Sequence, residues 1–567
     1  MEKKLVECVP NFSEGRDEKK IKQITDTISA IEGVKLLNVD PGKATNRTVV
    51  TFVGHPDDVI EAAFQAIKRA SEIIDMSKHT GEHPRMGATD VCPLIPISGM
   101  EMKEVVEYAH KLGKRVGEEL KIPIYFYENA ASSPERKNLA ICRSGEYEGL
   151  PKKLSDTKWK PDHGPAEFSD KVKTTGATAI GARDFLVAYN INLNTTSTRR
   201  ANAVAFDIRE RGRVKRSGHP LTGDIEKDEK GNPVYIPGTL KATKGIGWFI
   251  KEYGIAQISL NLTNINITPI HIAFDEACKK AQERGLRVTG SELVGLVPLK
   301  AMLDAGTYFL RKQNLSAGVP ERELVKIAIK SLGLDELQPF NPRERIIEYM
   351  LEEENSESLI NMSLTEFADE TSVDSPAPGG GSISAYVGAL GISLGSMVAN
   401  LSASKRGWDE RWEEFSEYAE KGQQQKDRLL KLVDEDTNAF NAIMQAFGLS
   451  KNTEEEKKTR KEAIQSATKN AIEVPFSVMK IAYESMAVIK AMAEKGNPNS
   501  VSDAGVGAAC ARTAVLGAYL NVKINAAGLD DKDYCNRILS EASDIVEKAK
   551  KQEETILNTV IQKIEKS

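Results

Sequence analysis

The sequence predicts a multidomain chain: two α+β subdomains, each a sheet with helices on one face, followed by an all-α helical-bundle domain. Three observations predict it. The chain has 567 residues, which at ~150 residues per domain makes room for three or four domains. Through about residue 350, short β-rich runs alternate with amphipathic helical stretches. Beyond Met350 the strand signals stop, and an acidic connector, Glu352-Glu353-Glu354-Asn355-Ser356-Glu357, separates the two regimes.

The elements follow in order. Runs at 5–9, 34–39, 47–53, 90–97 and 123–127 read as strands. Between them, 56–74 places Val59, Ala63, Ile67, Ala70 and Ile74 on one helical face. A second set begins at 185–193 and continues through 247–249 and 256–262, with helices near 269–284 and 299–312. The subdomains meet near residue 183, which gives 1–183 and 184–350, a linker at 351–362 and a helical domain at 363–567. That last domain opens on Ser363-Leu364-Thr365-Glu366, a capping-box pattern that satisfies the free amides of a helix start. Helical periods follow at 381–403, 409–447, 454–495, 500–524 and 531–563. The polar stretch 213–238 reads as a surface excursion whose basic cluster either meets an anionic ligand or is solvated.

Composition excludes several classes. With 40% hydrophobic, 28% charged and 6% aromatic residues, the chain is neither wholly disordered nor collagenous nor a coiled coil. Lys+Arg of 77 against Asp+Glu of 82 leaves a net charge of -5, with no basic excess to drive nucleic-acid binding. The six cysteines are scattered without a C-x-x-C pair, so neither a zinc ribbon nor a disulfide framework is expected, and a reducing cytoplasm is the expected compartment. The first residues carry charges but no long apolar run, so no secretory signal is expected. Residues 375–404 carry no charged side chain and raise the question of a membrane span. Their Pro/Gly-rich entrance and the polar Ser384, Ser393, Ser396 and Asn400 favour a buried helix of a soluble bundle.

Chemistry concentrates in a few places. Residues 78–90 hold two of the seven histidines, His79 and His83, beside Glu82, Arg85 and Asp90. A histidine near its free pKa can take and return a proton at neutral pH. A metal reading of His79 and His83 as an i, i+4 pair needs a helix, which Gly81 and Pro84 oppose. An acid/base site is favoured over a plain polar loop. A second polar cluster, Pro10-Asn11-Phe12-Ser13-Glu14-Gly15-Arg16, follows the first strand, and a third runs from Asp162 to Arg183; each reads equally as a ligand loop or a turn. No dinucleotide fingerprint or phosphate loop occurs. In the helical domain, Leu429, Val433, Phe440, Ile443 and Phe447 trace an apolar stripe, and Asp436 falls on it. A carboxylate there is expected to be buried, which raises its pKa and suits proton transfer; a salt bridge to a residue such as Arg512 is the equal structural alternative. Neighbouring Asp434 is expected in solvent. The Gly379-Gly380-Gly381-Ser382 loop and residues 496–507 suit either an anionic group at a helix start or close helix packing.

Three runs together resemble the formiminotransferase-cyclodeaminase family: Glu7-Cys8-Val9-Pro10-Asn11-Phe12-Ser13-Glu14-Gly15, Gly81-Glu82-His83-Pro84-Arg85-Met86-Gly87-Ala88, and Ser375-Pro376-Ala377-Pro378-Gly379-Gly380-Gly381-Ser382. Leu296-Val297-Pro298-Leu299-Lys300 and Glu344-Arg345-Ile346-Ile347-Glu348-Tyr349 match the end of the transferase half, so the resemblance spans essentially the whole chain. It implies a bifunctional folate enzyme of histidine degradation. The first half moves the formimino group from N-formimino-L-glutamate to tetrahydrofolate; the second closes 5-formiminotetrahydrofolate to 5,10-methenyltetrahydrofolate and expels ammonia. It further implies His83 as the transferase histidine, Asp436 as the cyclodeaminase aspartate, and folate contacts along 164–176 that include Gly164, Pro165, Phe168 and Gly176. This chain is a few residues longer than the family pattern around 169–175. Arg85 and Arg47 are candidate partners for the carboxylates of formiminoglutamate on charge grounds, and Asn11 is a further binding candidate. Tetrahydrofolate, as polyglutamate, is the implied co-substrate, without a metal. The family assembles as an octamer, so a homo-oligomer is implied, with no nucleic-acid or membrane partner.

Overall fold

The computed structural model of the protein describes residues 4–43, 45–81, 84–218, 223–351, 358–375 and 377–566. It divides into two compact units, residues 1–301 with 332–351, and residues 302–331 with 352–567. The acidic connector 352–357 lies outside the described residues.

In the first unit, β1 (Leu5–Cys8), β2 (Asn11–Phe12), β3 (Val34–Gly42), β4 (Arg47–Gly54), β5 (Thr89–Ser98), β6 (Ile124–Glu128) and β7 (Thr178–Ala182) form one mixed sheet. Its order is β1-β4-β2-β5-β7-β6, with β3 on β4. Strands β5, β7 and β6 run parallel to one another. Alternation along each strand sorts the faces. Val6, Cys8, Val50, Phe52, Cys92 and Leu94 turn toward the long helices Glu18–Ser29, Pro56–Ile73 and Met102–Glu119. Val91, Tyr125, Tyr127 and Ala179 build a smaller core on the opposite face. There the one-face expectation needs refining, because the short helices Leu139–Cys142, Leu150–Ser155 and Asp170–Thr175 deliver Cys142, Leu150, Leu154 and Val172 to that second face. The helix Glu18–Ser29 goes beyond the sequence reading; Asp17 starts it by accepting from the amides of Lys19 and Lys20.

A four-stranded antiparallel sheet follows, ordered Thr243–Ile250, Ile255–Leu262, Val187–Leu193, Val288–Val294. The 213–238 excursion is a β-ribbon in which Arg213–Val214 pairs with Tyr235–Ile236. Its residues 219–222 lie outside the described residues.

The second unit is all helical, built from Gly380–Ala403, Trp412–Gly448, Glu454–Lys495, Val501–Ala526 and Lys532–Lys566 around one core. The uncharged segment forms the Gly380–Ala403 helix. It is long and apolar enough to cross a membrane, yet 61% of its most apolar window is buried inside the protein. Small side chains bring it against Val501–Ala526: a Cβ on Gly391 would lie 2.9 Å from Gly507 O, so at 496–507 the packing reading describes what is found. The helical pair at 302–331 joins this unit. Gly318 O accepts from Asn400 Nδ2 at 2.8 Å and Gln423 Nε2 at 3.1 Å, and Ala317 N donates to Ser416 Oγ at 3.0 Å.

Candidate active sites

Glu82 and His83 lie outside the described residues, but the segment that follows them is fixed from two sides. Gly87 and Gly176 face each other in an antiparallel bridge. Ala88 N donates to Thr175 O at 2.7 Å, and Ala177 N donates to Met86 O at 3.0 Å. From the other side, Ser13 N donates to Ala88 O at 2.9 Å and Ser13 Oγ to Gly87 O at 2.8 Å. Gly176 has φ +66, and a Cβ there would lie 2.3 Å from Met86 O. Gly176 is thus placed to position the segment 84–88. Gly176→Ala is expected to lower any turnover that depends on this segment by about tenfold to a hundredfold through its misplacement, as a steady-state assay of the variant would measure.

The charged residues around this segment are engaged. His79 Nε2 lies 2.9 Å from Asn46 O, and Arg85 Nε donates to His79 Nδ1 at 3.3 Å. These bonds define an Nε2–H tautomer, and burial, followed by the Arg85 charge, holds the ring's pKa below its usual value. Both ring nitrogens are thus engaged within the protein. Arg85, the candidate partner of a substrate carboxylate, pairs in this structure with Glu148 at 2.6 and 2.9 Å and Glu146 at 3.2 Å. Asp90 is buried; its Oδ1 accepts from Met86 N at 2.9 Å and its Oδ2 from Arg143 at 2.7 Å. Burial nevertheless pushes its carboxyl pKa up.

Asn11, on β2, is 4% exposed. Its Nδ2 donates to Val9 O at 2.9 Å, while its Oδ1 is buried with no partner among the described residues. Arg47 opens β4 half-buried, two residues before Asn11's pairing partner Val49; burial lowers its pKa and Asp90 opposes that. Gly164 and Pro165 enter at the start of β6, where Ile124 N donates to His163 O at 2.9 Å. Phe168 packs on Tyr147, whose amide donates to Arg85 O at 2.9 Å. The longer stretch at 169–175 folds as the helix Asp170–Thr175, which ends at Gly176. Asn11, Arg47, Arg85, Phe168 and Gly176 therefore gather with the 84–90 segment, at the edge where the parallel strands begin. Ser13, from the 10–16 polar cluster, and Arg143 join them; sequence reading did not single out Arg143, which arrives from the end of a short helix 53 residues away, with no local signal.

The second site lies in the helical unit. A cavity of about 120 Å³ is lined by Gly379, Gly380, Gly381, Asp436, Thr437, Phe440, Asn521 and Asn525, with Ala377, Ile443 and Ala471. Asp436 is half-buried rather than buried, because the apolar stripe surfaces at Phe440 and Phe447. Ser382 Oγ sits 3.1 Å from Asp436 Oδ2, and the Ser382 amide also bonds the carboxylate. The anion at this helix start is thus the protein's own aspartate. Burial raises its pKa above the usual carboxylate range, against the pull of both Ser382 bonds. The salt-bridge alternative is not realised, since Arg512 pairs with Glu553 at 3.5 Å. Asp434 is not merely solvated: it accepts from Ser358 Oγ at 2.6 Å and Leu359 N at 2.9 Å.

Family models match the chain in three consecutive stretches. The formiminotransferase domain, N-terminal subdomain, matches residues 5–183, the formiminotransferase domain residues 188–352, and formiminotransferase-cyclodeaminase residues 363–544. A mouse formimidoyltransferase-cyclodeaminase is 42% identical over 557 residues, covering 98% of both chains. The chain belongs to the formimidoyltransferase-cyclodeaminase family. Relatives of each half also exist as separate proteins. A glutamate formimidoyltransferase of Thermoplasma acidophilum is 42% identical over 327 residues, 57% of this chain and 98% of its own. A methenyltetrahydrofolate cyclohydrolase of Methylorubrum extorquens is 37% identical over 204 residues, 36% of this chain and 98% of its own.

Proposed function

We propose that this chain carries out both half-reactions of its family, formimino transfer from N-formimino-L-glutamate to tetrahydrofolate and then cyclisation to 5,10-methenyltetrahydrofolate with loss of ammonia. The observation that carries the reading is Asp436: a carboxyl of raised pKa at the wall of a cavity, oriented by Ser382. In the first reaction N5 of tetrahydrofolate attacks the formimino carbon and loses a proton, and the glutamate nitrogen gains one as its bond to that carbon breaks. His83 is the group for both transfers, and the segment that follows it in sequence is anchored by Gly87, Gly176 and Ser13. Asn11 Oδ1, buried and without a partner among the described residues, accepts an N–H of the bound substrates. Arg85, Arg47 and Arg143 are the cations gathered here for the substrate carboxylates, Arg85 paired in this structure with Glu148 and Arg143 with Asp90. In the second reaction N10 attacks the amidine carbon, and Asp436 passes a proton to the nitrogen that leaves. Neither step asks for a metal or redox cofactor.

The substrate is a folate polyglutamate, by family resemblance. The working form is a homo-oligomer in the cytoplasm. Exposed Leu390, Met397 and Leu401 on Gly380–Ala403, and Leu520 and Ile524 on Val501–Ala526, support association, and free thiols with near-neutral charge support a reducing compartment.

The test incubates purified protein with formiminoglutamate and tetrahydrofolate while glutamate, methenyltetrahydrofolate and ammonia are followed together. His83→Asn is expected to lower glutamate release by about a hundredfold or more, and Asp436→Asn to lower ammonia release similarly while glutamate still forms. Ammonia release at the wild-type rate from Asp436→Asn would sink the assignment.

A further inference from the structure

The cavity at Asp436 is also walled by Asn521 and Asn525, four residues apart and so on one face of the Val501–Ala526 helix. A carboxamide has a donating end and an accepting end. In both residues the donating end is spent on backbone: Asn521 Nδ2 donates to Gly517 O at 2.9 Å, and Asn525 Nδ2 to Ala471 O at 2.7 Å. Neither Oδ1 takes a hydrogen bond from another described residue, so both are left as acceptors. The other polar side chains of the lining are the Asp436 carboxylate and the Thr437 hydroxyl. No lysine, arginine or histidine lines the cavity among the described residues. Its side chains therefore offer oxygen acceptors and one negative charge. That chemistry suits a small cation carrying N–H groups on several sides, because hydrogen bonds from a charged donor are about twice as strong as neutral ones.

We propose that Asn521 and Asn525 are positioning residues of the ring closure, their oxygens joining Asp436 to hold the amidinium N–H groups during attack and the nitrogen as it leaves. The proposal rests on the reading of Asp436 as the proton-transfer group of this half. The step balances: the N10–carbon bond forms, the N10 proton passes through Asp436 to the terminal nitrogen, the carbon–nitrogen bond breaks, and ammonia leaves a cationic methenyl bridge. Two neutral acceptors beside one carboxylate direct the lone cationic nitrogen without adding a second charge that would hold the product.

The test uses the full chain and formamidinium as the probe. Formamidinium is expected to compete with 5-formiminotetrahydrofolate in the ring-closure assay and to leave formimino transfer unchanged, whereas neutral formamide inhibits at least tenfold more weakly. Asn521→Ala and Asn525→Ala are each expected to weaken formamidinium inhibition about tenfold, the loss of one hydrogen bond to a charged group, and to slow ring closure so that 5-formiminotetrahydrofolate accumulates. Asn521→Asp and Asn525→Asp keep an acceptor but lose the donor to backbone. They should retain formamidinium inhibition, whereas a merely structural role would fail alike in the Asp and Ala variants. Equal inhibition of the wild type and both Ala variants overturns the proposal while ring closure lost in Asp436→Asn keeps the underlying reading. Ring closure unimpaired in Asp436→Asn overturns both.

Discussion

Gly381→Ala is expected to lower ring closure by about a hundredfold or more while formimino transfer continues and 5-formiminotetrahydrofolate accumulates. A Cβ on Gly381 would lie 2.2 Å from Asp436 Oδ1 and 2.5 Å from its Cγ, so the carboxylate must swing away from Ser382 and out of line with the cavity. Gly381 sits in the first turn of a helix, a backbone conformation that alanine adopts readily. Thermal unfolding of the variant separates a lost catalytic geometry from a lost fold. Gly379→Ala, in the lining of the same cavity but with a Cβ that meets nothing within 4 Å, is expected to have the smaller effect. Ring closure at the parental rate in Gly381→Ala would show that the close approach of helix and carboxylate is not needed for the chemistry.

The second large effect concerns stability. Glu7 is 4% exposed on β1, and burial pushes its carboxyl up to about 7, with Arg183 opposing and Glu348 adding to the rise. In the unfolded chain the same group titrates near 4.5. Below that pH both states hold the proton and Glu7 adds no pH dependence. Between 4.5 and 7 the folded state holds more protons than the unfolded one, so stability falls as pH rises; above 7 the loss levels off at about 3 kcal/mol. Glu7→Gln removes the charge and with it this slope. Urea midpoints of the two proteins should lie close together at pH 5 and separate at pH 8, with the variant the more stable. A constant difference at both pH values would place Glu7 in an environment that does not titrate.

Much of this architecture was legible because its periods are simple. The Leu299–Lys312 helix and the strands around Val50, Leu94 and Phe126 carry alternation or helical spacing that survives in the fold. The candidate sites were legible where chemistry is local, as in the 84–90 segment, or where a polar residue interrupts an apolar stripe, as at Asp436. Three features were hidden because each depends on residues distant in sequence. Asp434 reads as solvent-facing until Ser358 and Leu359, more than seventy residues earlier, are seen to bond it. Arg85 reads as a free cation until Glu146 and Glu148 are seen against it. Asp436 reads as fully buried because an apolar stripe marks the face of a helix but not how far the neighbouring helices cover it; Phe440 is 40% exposed.

The helical pair at 302–331 carries a consequence for recombination within the family. It lies inside the stretch matched by the transferase model, 188–352, yet its contacts belong to the helical unit, where Gly318 accepts from Asn400 and Gln423 and Arg311 pairs with Glu420 at 2.9 Å. A chimera joined at residue 350 would splice helices from one parent onto a pair tuned to the other. Exchange of the cyclodeaminase half between relatives should therefore succeed when 302–331 travels with it, or when the contacts at Arg311, Ala317 and Gly318 are matched in both parents. The crossover that suits the gene order is not the one that suits the packing.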